Sequence, residues 1–137
     1  MTAYGKMLAL AAVLLGMPYV GQITTTPGHA MAASDLRQRA LTGDLAAQRE
    51  LAECLEKGCD GAAPSRARAC AWRTVIVAGG SPEITAADVE MRRLICQDLA
   101  PDEQATARDE AKSIFQQIHG RELVLPADYF GGPTRRK

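Results

Sequence analysis

Gly43 to Gly80 reads GDLAAQRELAECLEKGCDGAAPSRARACAWRTVIVAGG, and this stretch decides the fold. Asp44 can cap a helix over Leu45 to Lys57. Its apolar stripe is Ala47, Leu51, Cys54 and Leu55, which share a single face. Gly58 stands where a C′ glycine belongs, and Cys59 to Ala63 is a loop of small residues. Pro64 and Ser65 open a second helix that runs to about Ala78, with Ala69, Trp72 and Ile76 on one face and Val75 beside it. Thr74 to Val77 is β-branched throughout and, taken alone, favours a strand. The helical period before it and the Gly79-Gly80 pair after it decide for helix.

The same reading extends outward. A short helix is expected over Asp35 to Leu41, capped by Ser34 and ended by Gly43. Downstream, a fourth helix begins near Pro82 or Thr85, where Thr85 and Asp88 resemble a capping box with Asp in place of Glu. Its stripe is Ala87, Met91, Leu94 and Ile95, and it ends near Ala100. Pro101 suits the first position of a fifth helix, with Asp102 and Glu103 at its positive end. Ala107, Ala111, Ile114, Phe115 and Ile118 make the cleanest stripe in the chain, and Gly120 stops it. Short loops between these segments imply antiparallel neighbours. The expected fold is all-α: a short stack of antiparallel helical hairpins with two disulfides.

The ends differ from this middle. Lys6 is followed by Met7 to Met17, MLALAAVLLGM, an apolar run of signal-peptide length that falls short of the ~20 residues of a membrane-spanning helix. Ala30-Met31-Ala32 has the small-x-small form of a cleavage site. Residues 1–32 are therefore expected to be a signal peptide, 33–120 a helical domain and 121–137 an extended or disordered tail, partly docked through Leu123, Leu125 or Tyr129 and Phe130. Membrane association would come only through an uncleaved signal. The expected location is periplasmic or secreted. Of the 16 acidic and 16 basic residues only Lys6 lies in the first 32, so the domain is close to neutral and offers no nucleic-acid surface.

Beyond this, Gly43 to Gly80 resembles a Sel1-like repeat, the αα-hairpin related to tetratricopeptide repeats. The Gly43-Asp44 turn, Ala47, Leu51 and Gly58 match the first helix of that family, and Ala69, Trp72 and Gly80 match the second. The repeat's usual tyrosine before the glycine is Leu55 here, and its Gly-Val after it is Asp60-Gly61. Ser81 to Ile118 is also a helical pair but lacks the repeat's glycines and tryptophan. The resemblance implies a scaffold with a concave face for another protein or peptide segment, with Arg66, Arg68 and Arg73 as contact candidates. Solenoids usually need about three repeats. Two bridges, at about 2–4 kcal/mol each, would offset the shortfall. Cysteine-rich members of this repeat class occur among bacterial exported proteins and also bridge neighbouring helices.

Cys54, Cys59, Cys70 and Cys96 form an even set in an exported chain, which reads as disulfides. No CxxC pair, CxxCH motif or His at ligand spacing points to metal or haem. Cys70 and Cys96 can lie level across an antiparallel turn, while Cys54 and Cys59 can close a small loop at a helix end. That pairing is the first choice. The alternative joins Cys54 to Cys70 and Cys59 to Cys96.

No catalytic motif accompanies these features, and neither an active site nor a cofactor is expected. His119 closes a helix, where a cation suits the dipole, and no GxSxG or SxxK nucleophile is present. Glu50, Glu53 and Glu56 recur on one face but stand among arginines and lysines. Arg92-Arg93 reads as a surface pair bonded to Asp88 or Glu90. A redox pair would sit at a helix N-terminus, whereas Cys54 and Cys59 flank a C-terminus. The expected function is an interaction or scaffold module of the bacterial cell envelope. The alternatives are an accessory subunit of an envelope complex or, more remotely, a cell-wall-directed hydrolase.

Overall fold

A computed structural model describes residues 32–130; the expected signal segment up to Met31 and the basic close of the tail lie outside the described residues. Five helices follow one another: α1 (Ala33–Leu41), α2 (Leu45–Lys57), α3 (Arg66–Gly79), α4 (Ala86–Cys96) and α5 (Pro101–His119). No strand occurs among the described residues. Asp44 caps α2 by accepting the Ala47 N–H at 3.0 Å, and Ser65 caps α3 through the Arg68 N–H. Gly58 ends α2 at φ 84°, and a Cβ there would stand 3.0 Å from Pro64 Cγ. Both the conformation and the space require glycine.

α1 starts earlier than its sequence suggests, and Ser34 is not its cap. The Ala33 N–H donates to the Asp60 carbonyl at 3.1 Å, and the Ala32 carbonyl accepts from Asp35 and Leu36. The helix start is thus tied to the α2–α3 loop, a contact that local capping preferences do not encode.

α3 is the central helix. It packs against α2, α4 and α5, and every residue from Ala69 to Ile76 is buried. A helix enclosed on three sides needs apolar residues nearly all round, which accounts for the strand-like run at its end. The main core joins Leu36 and Ala40 of α1, Leu51 and Leu55 of α2, Trp72 and Val75 of α3, and Ile114 and Phe115 of α5. Ala52, Ala69 and Ala111 are fully buried within it, so the backbones approach closely there.

The turns α1–α2, α2–α3 and α3–α4 are antiparallel pairs, but α5 does not pair with α4. It lies beside α3, running the same way: Arg68 reaches Glu110 near one end, and Gly79 lies against His119 at the other. α5 also touches α1. The helices α1, α2, α3 and α5 therefore close around one core, and α4 packs outside on α3. The expected stripe of α4 is corrected accordingly. Ala87 is exposed, Leu94 is 37% exposed, and the buried residues are Asp88 and Cys96. Met91 and Ile95 of that stripe stay half-buried, Ile95 against the core, and the inward face is completed by an ion pair and a disulfide rather than by Ala87 and Leu94.

Candidate functional site

Cys54 pairs with Cys59 and Cys70 with Cys96, at Cα separations of 5.2 and 5.0 Å. The first bridge staples the end of α2 to the following loop. The second joins α3 to the end of α4 and is buried on both sides, Cys70 fully and Cys96 to 3% exposure. Two such bridges fit an oxidising, extracytoplasmic setting.

Charged side chains that could form a reactive site are instead paired between helices. Arg49 of α2 donates to both carboxylate oxygens of Asp88 at 2.8 and 2.7 Å, and to the Glu83 carbonyl. Arg49, with help from the Thr85 N–H, holds the Asp88 carboxyl well below the usual carboxylate range against the opposing effect of burial. Arg73 meets Glu56 at 2.9 Å with both side chains nearly buried. Glu53 pairs with Lys57 and Glu90 with Arg93 on the surface. The Arg92-Arg93 pair is thus divided: Arg93 takes Glu90, Arg92 lies 4.6 Å over the Tyr129 ring, and Asp88 belongs to Arg49.

The three arginines expected to contact a partner are used inside the chain. Arg66 donates to the carbonyls of Leu94, Ile95 and Gln97, closing the end of α4. Arg68 bonds Glu110 of α5. Arg73 is only 7% exposed. Arg73 has no surface to offer, whereas Arg66 is exposed and the Arg68 side chain keeps 39% exposure while making these ties.

The positions carrying the repeat resemblance come together around the α2–α3 hairpin. Ala47, Leu51, Ala69 and Trp72 are buried in the main core, Gly43 and Asp44 make the turn into α2, and Gly58 and Gly80 end α2 and α3. The indole Nε1 of Trp72 is buried with no hydrogen-bond partner among the described residues.

His119 is corrected in its role. Its ring packs 4.3 Å from Phe115 and against Gly79. Desolvation, with Arg121 nearby, lowers its pKa, which works against the cation that would suit the helix dipole. A recess beside it is lined by Gly43, Gln48, Ile76, Ser81 and Glu83. Among the described residues no cluster of three His, Cys, Asp or Glu is placed to hold a metal, and no helix is long and apolar enough to cross a membrane.

The surface that sequence reasoning missed lies between α4 and α5. These helices do not form a packed pair, and the chain after α5 turns back to fill the gap. Phe130, 3% exposed, enters a second apolar cluster with Ala67, Cys70, Cys96, Leu99 and Ala107. Tyr129 and Phe130 were legible as docking residues, but the groove that receives them depends on α5 choosing α3 as its neighbour. No protein-family model, curated protein or solved structure matches this chain.

Proposed function

We propose that this chain is an exported protein–protein interaction module of the bacterial cell envelope, related in its α2–α3 hairpin to Sel1-like repeats. The observation that carries the reading is the outer face of α4. Val89 and Leu94 are 46% and 37% exposed at the two edges of that face, on either side of the exposed Glu90–Arg93 pair, on a helix pinned at its start by Asp88–Arg49 and at its end by Cys96 and Arg66. A rigid helix with outward apolar side chains presents contact area at little ordering cost. The two bridges support a periplasmic or secreted location, and the turn and core positions Gly43, Asp44, Ala47, Leu51, Ala69 and Trp72 support the repeat kinship. With α5 closed against α3 and touching α1, this reading takes the α4 side, rather than a concave inner face, as the binding surface.

Affinity capture from an envelope fraction, with captured proteins identified by mass spectrometry, tests this. A specific partner retained by the native chain and lost from Val89→Glu/Leu94→Glu supports the module. Equal capture by both, or a cytoplasmic location with reduced cysteines on fractionation, contradicts it.

A further inference from the structure

One peptide unit, Ala32–Ala33, fixes the start of α1 from both sides. The Ala32 carbonyl accepts from the Asp35 and Leu36 N–H groups at 2.9 and 3.1 Å, and the Ala33 N–H donates to the Asp60 carbonyl at 3.1 Å. The first two bonds satisfy helix donors that have no partner within the helix. Ala32 is the N-cap, and no side chain shares in the capping. The loop that receives Ala33 is itself closed. Cys59 and Ala62 exchange two backbone bonds, at 3.1 and 3.0 Å, and the Cys54–Cys59 bridge staples this turn to α2. Ala33 is 7% exposed, and its Cβ lies 3.8 Å from where a Cβ on Gly61 would stand.

A cut after Ala30-Met31-Ala32 would break this same peptide unit. It would remove the capping carbonyl and turn the Ala33 N–H into an α-amino group, which is mostly protonated at pH 7. A positive charge on the first residue of a helix opposes the macrodipole. If cutting precedes folding, the product lacks its cap. If folding precedes cutting, the bond is presented with both of its polar groups already engaged. A second small-x-small triplet, Gly28-His29-Ala30, ends two residues earlier. A cut after it keeps Ala32 in the mature chain and places the new ammonium on Met31. Resting on the exported reading above, we infer that the precursor is processed between Ala30 and Met31, so that Met31-Ala32 open the mature domain. Hydrolysis of that bond by a signal peptidase consumes one water. It leaves a carboxylate on Ala30 of the released peptide and an ammonium on Met31. The α2–α3 loop, stapled by Cys54–Cys59, is then the seat of the mature N-terminal segment.

The test expresses the full precursor in a bacterial host, fractionates the cells, and reads the start of the mature chain by N-terminal sequencing and intact mass. The expected first residue is Met31. Gly28→Gln enlarges the residue two before Ala30 and should reduce processing at Met31 at least about tenfold, because the peptidase requires a small residue there. Ala32→Gln enlarges the residue before the rival bond, keeps the capping carbonyl, and should leave processing at Met31 unchanged. A mature chain that begins at Ala33, or at any residue other than Met31, overturns the inference. So does unchanged processing in Gly28→Gln, or loss of processing in Ala32→Gln. Chains that begin at Met31 and at Ala33, each with both bridges formed, test the physical reason separately by hydrogen exchange. The Asp35 and Leu36 amides should exchange at least about tenfold faster in the shorter chain, and equal protection overturns the role given to Ala32. A precursor that reaches the envelope uncut overturns the inference and leaves the module reading standing. A chain retained in the cytoplasm with reduced cysteines removes the export on which both rest.

Discussion

Arg49 and Asp88 stand 39 residues apart in sequence and meet through two charge-assisted hydrogen bonds of 2.8 and 2.7 Å, tying α2 to the first turn of α4. Asp88 also accepts from the Thr85 N–H at 2.8 Å, so one carboxylate caps its own helix and anchors it to another. Asp88→Asn is expected to destabilise the domain by about 2 kcal/mol. That lies below the ~3–5 kcal/mol of a fully buried pair, because the Arg49 side chain keeps 35% exposure. Arg49→Met should cost a similar amount, and the double variant less than the two together. Urea denaturation measures all three; additive losses would show that the pair is not coupled.

The same pair sets a pH dependence. The folded state lowers the pKa of Asp88 through Arg49, so the unfolded chain binds the proton more readily. The stabilisation is present above the ordinary carboxyl value of about 3.9 and is lost as pH falls through the lower folded value. The stability difference between the native chain and Asp88→Asn should be constant from pH 7 to about 5 and shrink below about 4. A difference unchanged at pH 2.5 would contradict this assignment.

Much of this architecture was legible in local signals. Asp44 and Gly58 bound α2 as read, and Pro101 and Gly120 bound α5. The observed cysteine pairing was the first of two readings, because Cys54 and Cys70 can also lie level across their own turn. What was not legible depends on contacts remote in sequence. The face of α4 was only half legible: Met91 and Ile95 of the expected stripe are half-buried and Ile95 packs on the core, but the buried positions are Asp88 and Cys96, a charge and a half-cystine, while Ala87 and Leu94 are exposed. A hydrophobic stripe cannot reveal a polar residue whose partner is on another helix. The pairing of α5 with α3, and hence the groove that takes Phe130, is likewise invisible to loop length. The burial of Arg73 was not legible because its acceptor Glu56 lies 17 residues away on another helix, and the ties of Arg66 and Arg68, which stay at least partly exposed, reach 28 to 42 residues along the chain.

The two bridges should contribute unequally. Cys70–Cys96 closes a separation of 26 residues and Cys54–Cys59 one of 5. Loop-closure entropy then assigns about 3.5 kcal/mol to the first and about 2 kcal/mol to the second. Cys70→Ala/Cys96→Ala should therefore lower the urea midpoint more than Cys54→Ala/Cys59→Ala. The reverse order, or no change from either, would show that the domain does not depend on the long tie.

Trp72 is the largest fully buried side chain and touches the core where α2, α3 and α5 converge. Trp72→Ala should cost about 3–5 kcal/mol from lost burial and the cavity left behind. Trp72→Phe should cost far less than this, because it also removes an indole N–H with no partner among the described residues. Comparable losses for both would indicate that the N–H is satisfied in solution, for which amide and indole exchange rates give an independent reading.

Arg66 closes α4 from outside the helix. The last carbonyls of a helix have no acceptor role within it, and in α4 those of Leu94 and Ile95, with that of Gln97 beyond, receive the Arg66 guanidinium at 2.9 to 3.1 Å. A fork of several donors can serve three carbonyls, whereas the ammonium of lysine is a compact point charge. Arg66→Ala is expected to fray α4 at its end, raising amide exchange at Ile95 to Leu99 at least tenfold, while α2 and α5 stay unchanged. Arg66→Lys should restore little of the protection. Because Cys96 still holds α4 to α3, the effect should grow in the Cys70→Ala/Cys96→Ala background. Full protection in Arg66→Ala would mean that the bridge alone fixes the helix end.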